Sequence, residues 1–436
     1  MIDLNLKILS KREEFNNGKK NTCYICEGNL DDYVKSIPDR YKEYDIQRGI
    51  IKNNVYLDKL TKTILENKFI PSIVLVAKSE DDTTIEYDTT LECDILTIRN
   101  QSYKILDGLQ RSYRIKQIYR AYNLYISLVD DNKKEHIESL TKYKISREFK
   151  EELDKYKTDV SYLWSIMEFY RGKTTINHTI FNDFIQWFEV WVGLDKNEQI
   201  NKMLVLNAGH KSMDLKHQLE LLFLNVVPEN YLNEFIRSKD ISSATFYKKK
   251  EEGDLHLTHF ISALIAFDKS APILVNQQYL QEIHENPDTE LEEVKKYFME
   301  DNLEIFIRFL KNIDELINKQ YGKTGLEWIG RESVLIGLFA AFGKYFEREY
   351  DNNIEKLEEC LNNIQTQLTA NIDTLDIEAF NQAKTSVNIA KVNIGDLFKY
   401  STFYYFCQML IHKNKQLDWK MIFTEKTKSE IKNECY

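Results

Sequence analysis

Prolines stop at Pro287, and the 436-residue chain runs to its end without another. Proline removes a backbone donor and clashes inside a helix, so a proline-free tract with 3.6-residue apolar spacing can stay helical. Residues 291–318, 332–349, 353–368 and 394–412 carry that spacing. They predict an all-α domain, a packed array of helices. No fixed-period internal repeat is present.

Ahead of Pro228 the pattern changes. Residues 55–67 have helical spacing, with Leu57, Leu60, Ile64 and Leu65 on one side, and Pro71 ends that unit. Residues 72–77 read as a buried strand, 84–87 and 94–98 as two short strands, and 103–106 as a strand running into Asp107-Gly108. A helix follows with Ile115, Ile118, Tyr122 and Tyr125 inward. Residues 130–182 read as a helical insertion, highly charged over 130–160. The β signal returns at 187–192, followed by helices at 198–206 and 214–224 with a polar turn between them. The fold class is therefore α+β. An α/β domain over 1–228 precedes an α-helical domain over 229–436, and the Lys248–Gly253 run between them is expected to be exposed.

Composition bounds the function. Hydrophobic residues are 43% of the chain and aromatics 12%, enough for a substantial core. The longest apolar stretch, 334–342, is broken by Gly337 and falls well short of the roughly 20 residues that span a bilayer. No membrane partner is expected, and with no signal-peptide pattern the expected location is the cytoplasm. A net charge of −10 opposes nucleic-acid binding unless cations cluster. One cluster exists: Arg99, Lys104, Arg111, Arg114, Lys116 and Arg120, against the single acid Asp107.

Several motifs fail on spacing. Gly322-Lys323-Thr324 would need its first P-loop glycine at Ile317, inside a helical pattern. His256 and His259 lie three apart without a third ligand, and no metal-ligand cluster emerges elsewhere. The turn Asp107-Gly-Leu-Gln-Arg111 survives. Gly108 permits close approach or positive φ, and the following helix offers free N–H groups and its dipole to an anion. Arg111 and Arg114, three apart, share a helix face and can both reach that anion. A plain strand–helix connection stapled by an Asp–Arg pair accounts for the same spacing.

Asp45-Ile-Gln47-Arg48-Gly, the 57–65 helix, Ile70-Pro71-Ser-Ile-Val and Ile105-Leu-Asp107-Gly108-Leu109-Gln110-Arg111 together resemble the ParB/sulfiredoxin-like superfamily. The similarity is to its branch with a D-G-Q-Q-R or D-G-Q-H-R signature, which includes the N-terminal domain of GmrSD-type restriction proteins and the DndB-like proteins. A later Asn-small-Gly turn is matched by Asn207-Ala-Gly209. The third signature position departs, as Leu109 replaces Gln, and helical sequence stands where GmrSD-type proteins carry a nuclease domain.

This resemblance implies a nucleotide- or phosphate-binding fold, often NTP-hydrolysing, that works in bacterial DNA modification, restriction or phage defence. It implies Asp107, Gln110 and Arg111 as catalytic residues, and Gln47, Arg48, Gly108, Arg114, Asn207 and Gly209 as nucleotide-binding residues. An NTP with a divalent ion such as Mg2+ is the implied cofactor. DNA and a nuclease or modification-system protein are the implied partners, and DNA cleavage by this chain alone is not expected. The alternatives are a non-enzymatic DNA-binding regulator and a structural subunit of such a system.

The six cysteines are expected to be reduced thiols. Cys23 and Cys26 have the spacing of half a zinc site without a second pair, so two buried thiols are expected instead. Elemental analysis of the purified protein should find no stoichiometric zinc, and one zinc per chain would overturn this reading.

Overall fold

The computed structural model describes residues 2–16, 18–38, 41, 57, 59–130, 134–208, 215–224, 226–273, 279–280, 293–386, 393–413 and 417–435. The chain divides into two compact units, residues 1–210 and 211–436.

Unit 1 is built on β1 (Leu4–Asn16), β2 (Lys19–Asn29), β3 (Ile73–Ala77), β4 (Thr83–Asp88), β5 (Cys93–Ile98), β6 (Tyr103–Asp107) and β7 (Ile185–Val192). These form one sheet in the order β4-β5-β1-β2-β7-β3-β6. Among the described strands of this sheet β3 and β7 pair in parallel and every other pairing is antiparallel. The sheet is thus mixed: short turns join the antiparallel pairs β1–β2 and β4–β5, whereas the parallel strands β3 and β7 are far apart in the chain, as a parallel pair requires. β3 lies between two strands and is buried at all five positions, whereas β4, on the edge, buries none.

Helices α1 (Leu30–Ser36), α2 (Leu60–Leu65), α3 (Leu109–Asp130), α4 (Lys134–Ser139), α5 (Lys142–Glu148), α6 (Lys150–Tyr156), α7 (Val160–Tyr170) and α8 (Ile180–Asp183) follow the chain order. α3 packs inward through Ile115, Ile118, Tyr122 and Tyr125, all buried, as its spacing predicts. Within the expected insertion the described residues 134–170 form four short helices, with one buried apolar residue each on α5 and α6, and residues 171–179 are turn and coil. α7 differs, burying Leu163, Ile166, Met167 and Tyr170 in the same cluster as α3. α9 (Lys196–Ala208) closes the unit.

Unit 2 begins with α10 (Leu215–Phe223), ahead of Pro228. Charge explains this placement. Glu220 on α10 accepts from Arg237 Nε at 2.5 Å and from the Ser238 backbone N–H at 3.0 Å, and Lys216 pairs with Glu332. α11 (Ser243–Lys249), α12 (Leu257–Asp268), α13 (Glu300–Ile329), α14 (Glu332–Tyr350), α15 (Leu357–Asn371), α16 (Ile377–Ser386), α17 (Ile394–Leu410), α18 (Trp419–Glu425) and α19 (Lys428–Cys435) follow. Two-residue strands β8 (Phe235–Ile236) and β9 (Leu255–His256) pair in parallel, a small departure from an all-helical unit. α13 is broken at Gly322, whose φ of 55° and ψ of −142° no continuous helix contains.

The Lys248–Gly253 run is not uniformly exposed. Lys248 and Lys249 are exposed, but Lys250 is buried. Its ammonium meets Asp314 Oδ2 at 2.5 Å and the Asp254 carbonyl at 2.6 Å. An unpaired ammonium would not remain in such a place. Burial raises the Asp314 pKa above its ordinary value, against the attraction of Lys250.

α14 packs against α12 and α17. The close approaches run through its glycines: a Cβ on Gly343 would lie 2.0 Å from the Phe267 carbonyl oxygen, and one on Gly337 2.5 Å from that of Lys399. Gly343→Ala is expected to destabilise unit 2 by about 1–3 kcal/mol or more by forcing the helices apart. Denaturant unfolding of the full chain followed by near-ultraviolet circular dichroism checks this, and an unchanged unfolding profile contradicts it.

Candidate functional site

The 107–111 turn is made by a bulge, a glycine and a clamp. Val74 pairs with Asp107 but Leu75 with Ile105, so Leu106 is the extra residue of a β-bulge. Bulges of this kind re-aim the side chains beside them. Gly108 then takes φ +93°, a conformation that strains any residue with a Cβ. A Cβ there would also meet Arg111 Nη2 and Ile73 Cγ1 at 3.3 Å. α3 starts at the next residue, with Ser112 N–H donating to the Gly108 carbonyl at 2.8 Å.

Arg111 ties the turn to the loop before β3. Its Nη2 donates to Asp107 Oδ2 at 2.7 Å, and its Nη1 donates to the Pro71 carbonyl at 2.7 Å. Gln186 Nε2 reaches the same carbonyl at 3.1 Å. Below the turn, Ser112 Oγ lies 3.0 Å from the Gly108 carbonyl and 2.7 Å from the Tyr33 hydroxyl. Burial pushes the Tyr33 hydroxyl above its ordinary range, so it stays protonated.

The structure brings together Asp107, Gly108 and Arg111, with Gln110 half-buried on the first turn of α3. It takes Arg114 elsewhere. Arg114 is buried, donates from Nη1 to the Tyr162 hydroxyl at 2.7 Å, and lies 5.7 Å from that ring's centre. Shared spacing put both arginines on one face, but α7 supplies a closer acceptor for the second. Gln47, Arg48 and Gly209 lie outside the described residues, as does the side chain of Asn207 at the end of α9. Gln186 was not anticipated, although a glutamine inside an apolar strand is a signal. Its Oε1 is buried without a hydrogen-bond partner among the described residues.

The basic run of 99–120 does not form one open field. Arg99 pairs with Asp82 at 3.4 Å, Arg111 with Asp107, and Arg120 donates to the Lys157 carbonyl at 3.1 Å. The Lys116 ammonium lies 5.2 Å from the Tyr41 ring centre.

Cys23 and Cys26 are both buried on β2. Three residues apart on a strand, they face opposite sides of the sheet. Burial pushes both thiols up to about 12.

His256 and His259 are core side chains. His256 Nε2 lies 3.0 Å from the Ile241 carbonyl and its Nδ1 2.9 Å from Thr258 Oγ1. His259 Nε2 lies 2.9 Å from Ser243 Oγ. Close by in charge, Glu332 accepts from Ser262 Oγ at 2.7 Å and pairs with Lys216. Burial opposes ionisation of Glu332, but the Lys216 ammonium and its other neighbours outweigh burial and hold the carboxyl down to about 2. Burial holds His259 down to about 3.

Both shifts make unit 2 acid-sensitive. The unfolded chain takes up a proton on His259 near pH 6.5, while the folded protein resists until about 3. That contribution is intact above pH 6.5 and is lost as pH falls towards 3. Glu332 adds a second loss as pH falls from about 4.5 to about 2. His259→Gln should flatten the fall in urea midpoint between pH 6.5 and 3. An unchanged slope would mean that His259 is not the group responsible.

A scan against protein-family models, a search of curated proteins and a search of solved structures each found no match to this chain.

Proposed function

We propose that the chain is a nucleotide-binding, NTP-hydrolysing protein of a bacterial DNA modification, restriction or phage-defence system, with the 107–111 turn holding the phosphates. The observation that carries this reading is the clamped turn itself. A bulge, a glycine at φ +93° and a helix start set an arginine and a carboxylate 2.7 Å apart. Sites at a strand's C-terminal end and a helix's N-terminal end commonly take phosphate. The guanidinium has five N–H donors, and its two protein contacts leave donors for an anion.

Asp107 engages Arg111 through Oδ2, and Oδ1 is left to orient a water. The donor set suits Mg2+ carried in by the nucleotide, since that ion is commonly held by one or two carboxylates and substrate phosphates. Groups of three or more His, Cys, Asp or Glu able to form a protein cage are absent among the described residues. A bound ion would neutralise phosphate charge, while Asp107 positions the water and Arg111 holds the phosphate.

The rival reading, a DNA-binding regulator, has less support, because the net charge is −10 and the cations of the 99–120 run have protein partners. Gel shifts weakening steeply with salt, without NTP turnover, would favour it.

Arg111→Ala is expected to weaken NTP binding about ten- to a hundredfold, a charge-assisted bond being worth roughly 1.5–3 kcal/mol. Asp107→Ala should lower turnover more than affinity. Melting temperature and NTP affinity measured on the same samples separate this site from a structural staple. If both variants lose thermal stability and keep full affinity, the turn is a staple and the proposal is wrong.

A further inference from the structure

A cleft of about 540 Å³ opens in unit 1 where the ends of α2 and α7 meet α8. Its wall is apolar, with Phe169, Ile176 and Ile180, and its rim carries Asn67, Lys173 and Asp183. Phe169 turns the face of its ring outward, for the exposed Lys173 ammonium lies 3.3 Å from the ring centre. Asn67 holds the left-handed φ of 50°, and its side-chain amide is exposed. Asp183 takes Thr179 Oγ1 on Oδ2 at 2.7 Å, which leaves Oδ1 open as an acceptor.

The chain ties this cleft to the 107–111 turn twice. Asn67 is four residues from Pro71, the carbonyl that Arg111 holds, and so lies within about 14 Å of it. On the other side, Tyr122 on α3 donates to the Asn177 carbonyl in the cleft lining. Tyr122 is eleven residues along α3 from Arg111, about 16 Å. The Asn67 rim, within about 14 Å of the carbonyl that Arg111 holds, is in reach of an extended nucleoside triphosphate.

On the reading of the 107–111 turn as the phosphate site, we infer that this cleft takes the nucleotide's base and selects bases that carry an exocyclic amino group. The base stacks on the Phe169 ring in place of the Lys173 ammonium, which moves aside into solvent. Stacking on an aromatic face does not discriminate among bases. Discrimination comes from the rim. A carboxylate accepts from an exocyclic amine, as it does from the N4 amine of cytosine, and has nothing to accept from at the carbonyl of uracil. The Asn67 amide, a donor and an acceptor, pairs with a neighbouring edge position.

The test is calorimetric binding of ATP, GTP, CTP, UTP and inorganic tripolyphosphate to the full chain and four variants. UTP should bind most weakly of the four nucleotides. Phe169→Ala should weaken the preferred nucleotide about tenfold and leave tripolyphosphate unchanged. Asp183→Asn should shrink the preference over UTP, and Asn67→Gly, which keeps the left-handed backbone, should weaken nucleotide but not tripolyphosphate. Asp183 and Asn67 are exposed, so these two variants stand even where Phe169→Ala unfolds. Nucleotide affinities and base preference unchanged in the cleft variants would overturn the base site. Tripolyphosphate binding that ignores Arg111→Ala would instead overturn the phosphate reading, whatever the cleft variants do.

Discussion

Arg111 binds two parts of the sheet domain that are remote in sequence. One end of its guanidinium holds the carboxylate of Asp107 at the tip of β6, and the other holds the Pro71 carbonyl before β3. β3 and β6 are neighbours, and their register slips where the clamp sits. Pro71 lies ahead of β3, outside the ladder, and Gln186 from β7 donates to the same carbonyl that Arg111 holds. Three neighbouring strands therefore converge on one carbonyl and one guanidinium. The α3 helix, whose inner face builds much of the core, starts from that point with its direction set.

Local chemistry made this turn legible. Glycine after aspartate, a strand before and apolar helical spacing after are all signals within twenty residues, and each strand expected from 72 to 107 is present. The Asp107–Arg111 pair joins residues four apart in sequence, one ending β6 and the other on the first turn of α3. What spacing could not convey is competition from afar. Arg114 goes to Tyr162, 48 residues on, and Gln186 reaches back 115 residues to Pro71. Lys250 looked like part of an exposed basic run until Asp314, 64 residues away, took it into the interior. Long side chains with several donors serve whichever acceptor the tertiary fold supplies, and a single sequence does not name that acceptor.

Unit 2 carries its charges in the same manner, as pairs between separate segments. Arg237 with Glu220, Lys250 with Asp314, and Lys216 with Glu332 each connect residues that the chain order keeps apart. Breaking one partner of such a pair leaves a charge in a poor solvent, which costs far more than the pair contributes. These pairs therefore restrict which helix arrangements are acceptable more than they raise stability. They also explain why α10 belongs with the helices that follow it.

α12 has a consequence for synthesis. Residues 257–267 are buried at every position, Thr258, His259 and Ser262 among mostly apolar side chains, so no face of this helix is turned to water. Its main neighbour α14 is translated afterwards, and α17 later still. At roughly 5–20 residues per second, about 60 residues of further translation keep α12 without α14 for several seconds, and completing α17 takes more than twice as long. During that interval the nascent chain presents a largely apolar segment to water or to chaperones, and the order of translation leaves it open to diversion before its partner helix exists.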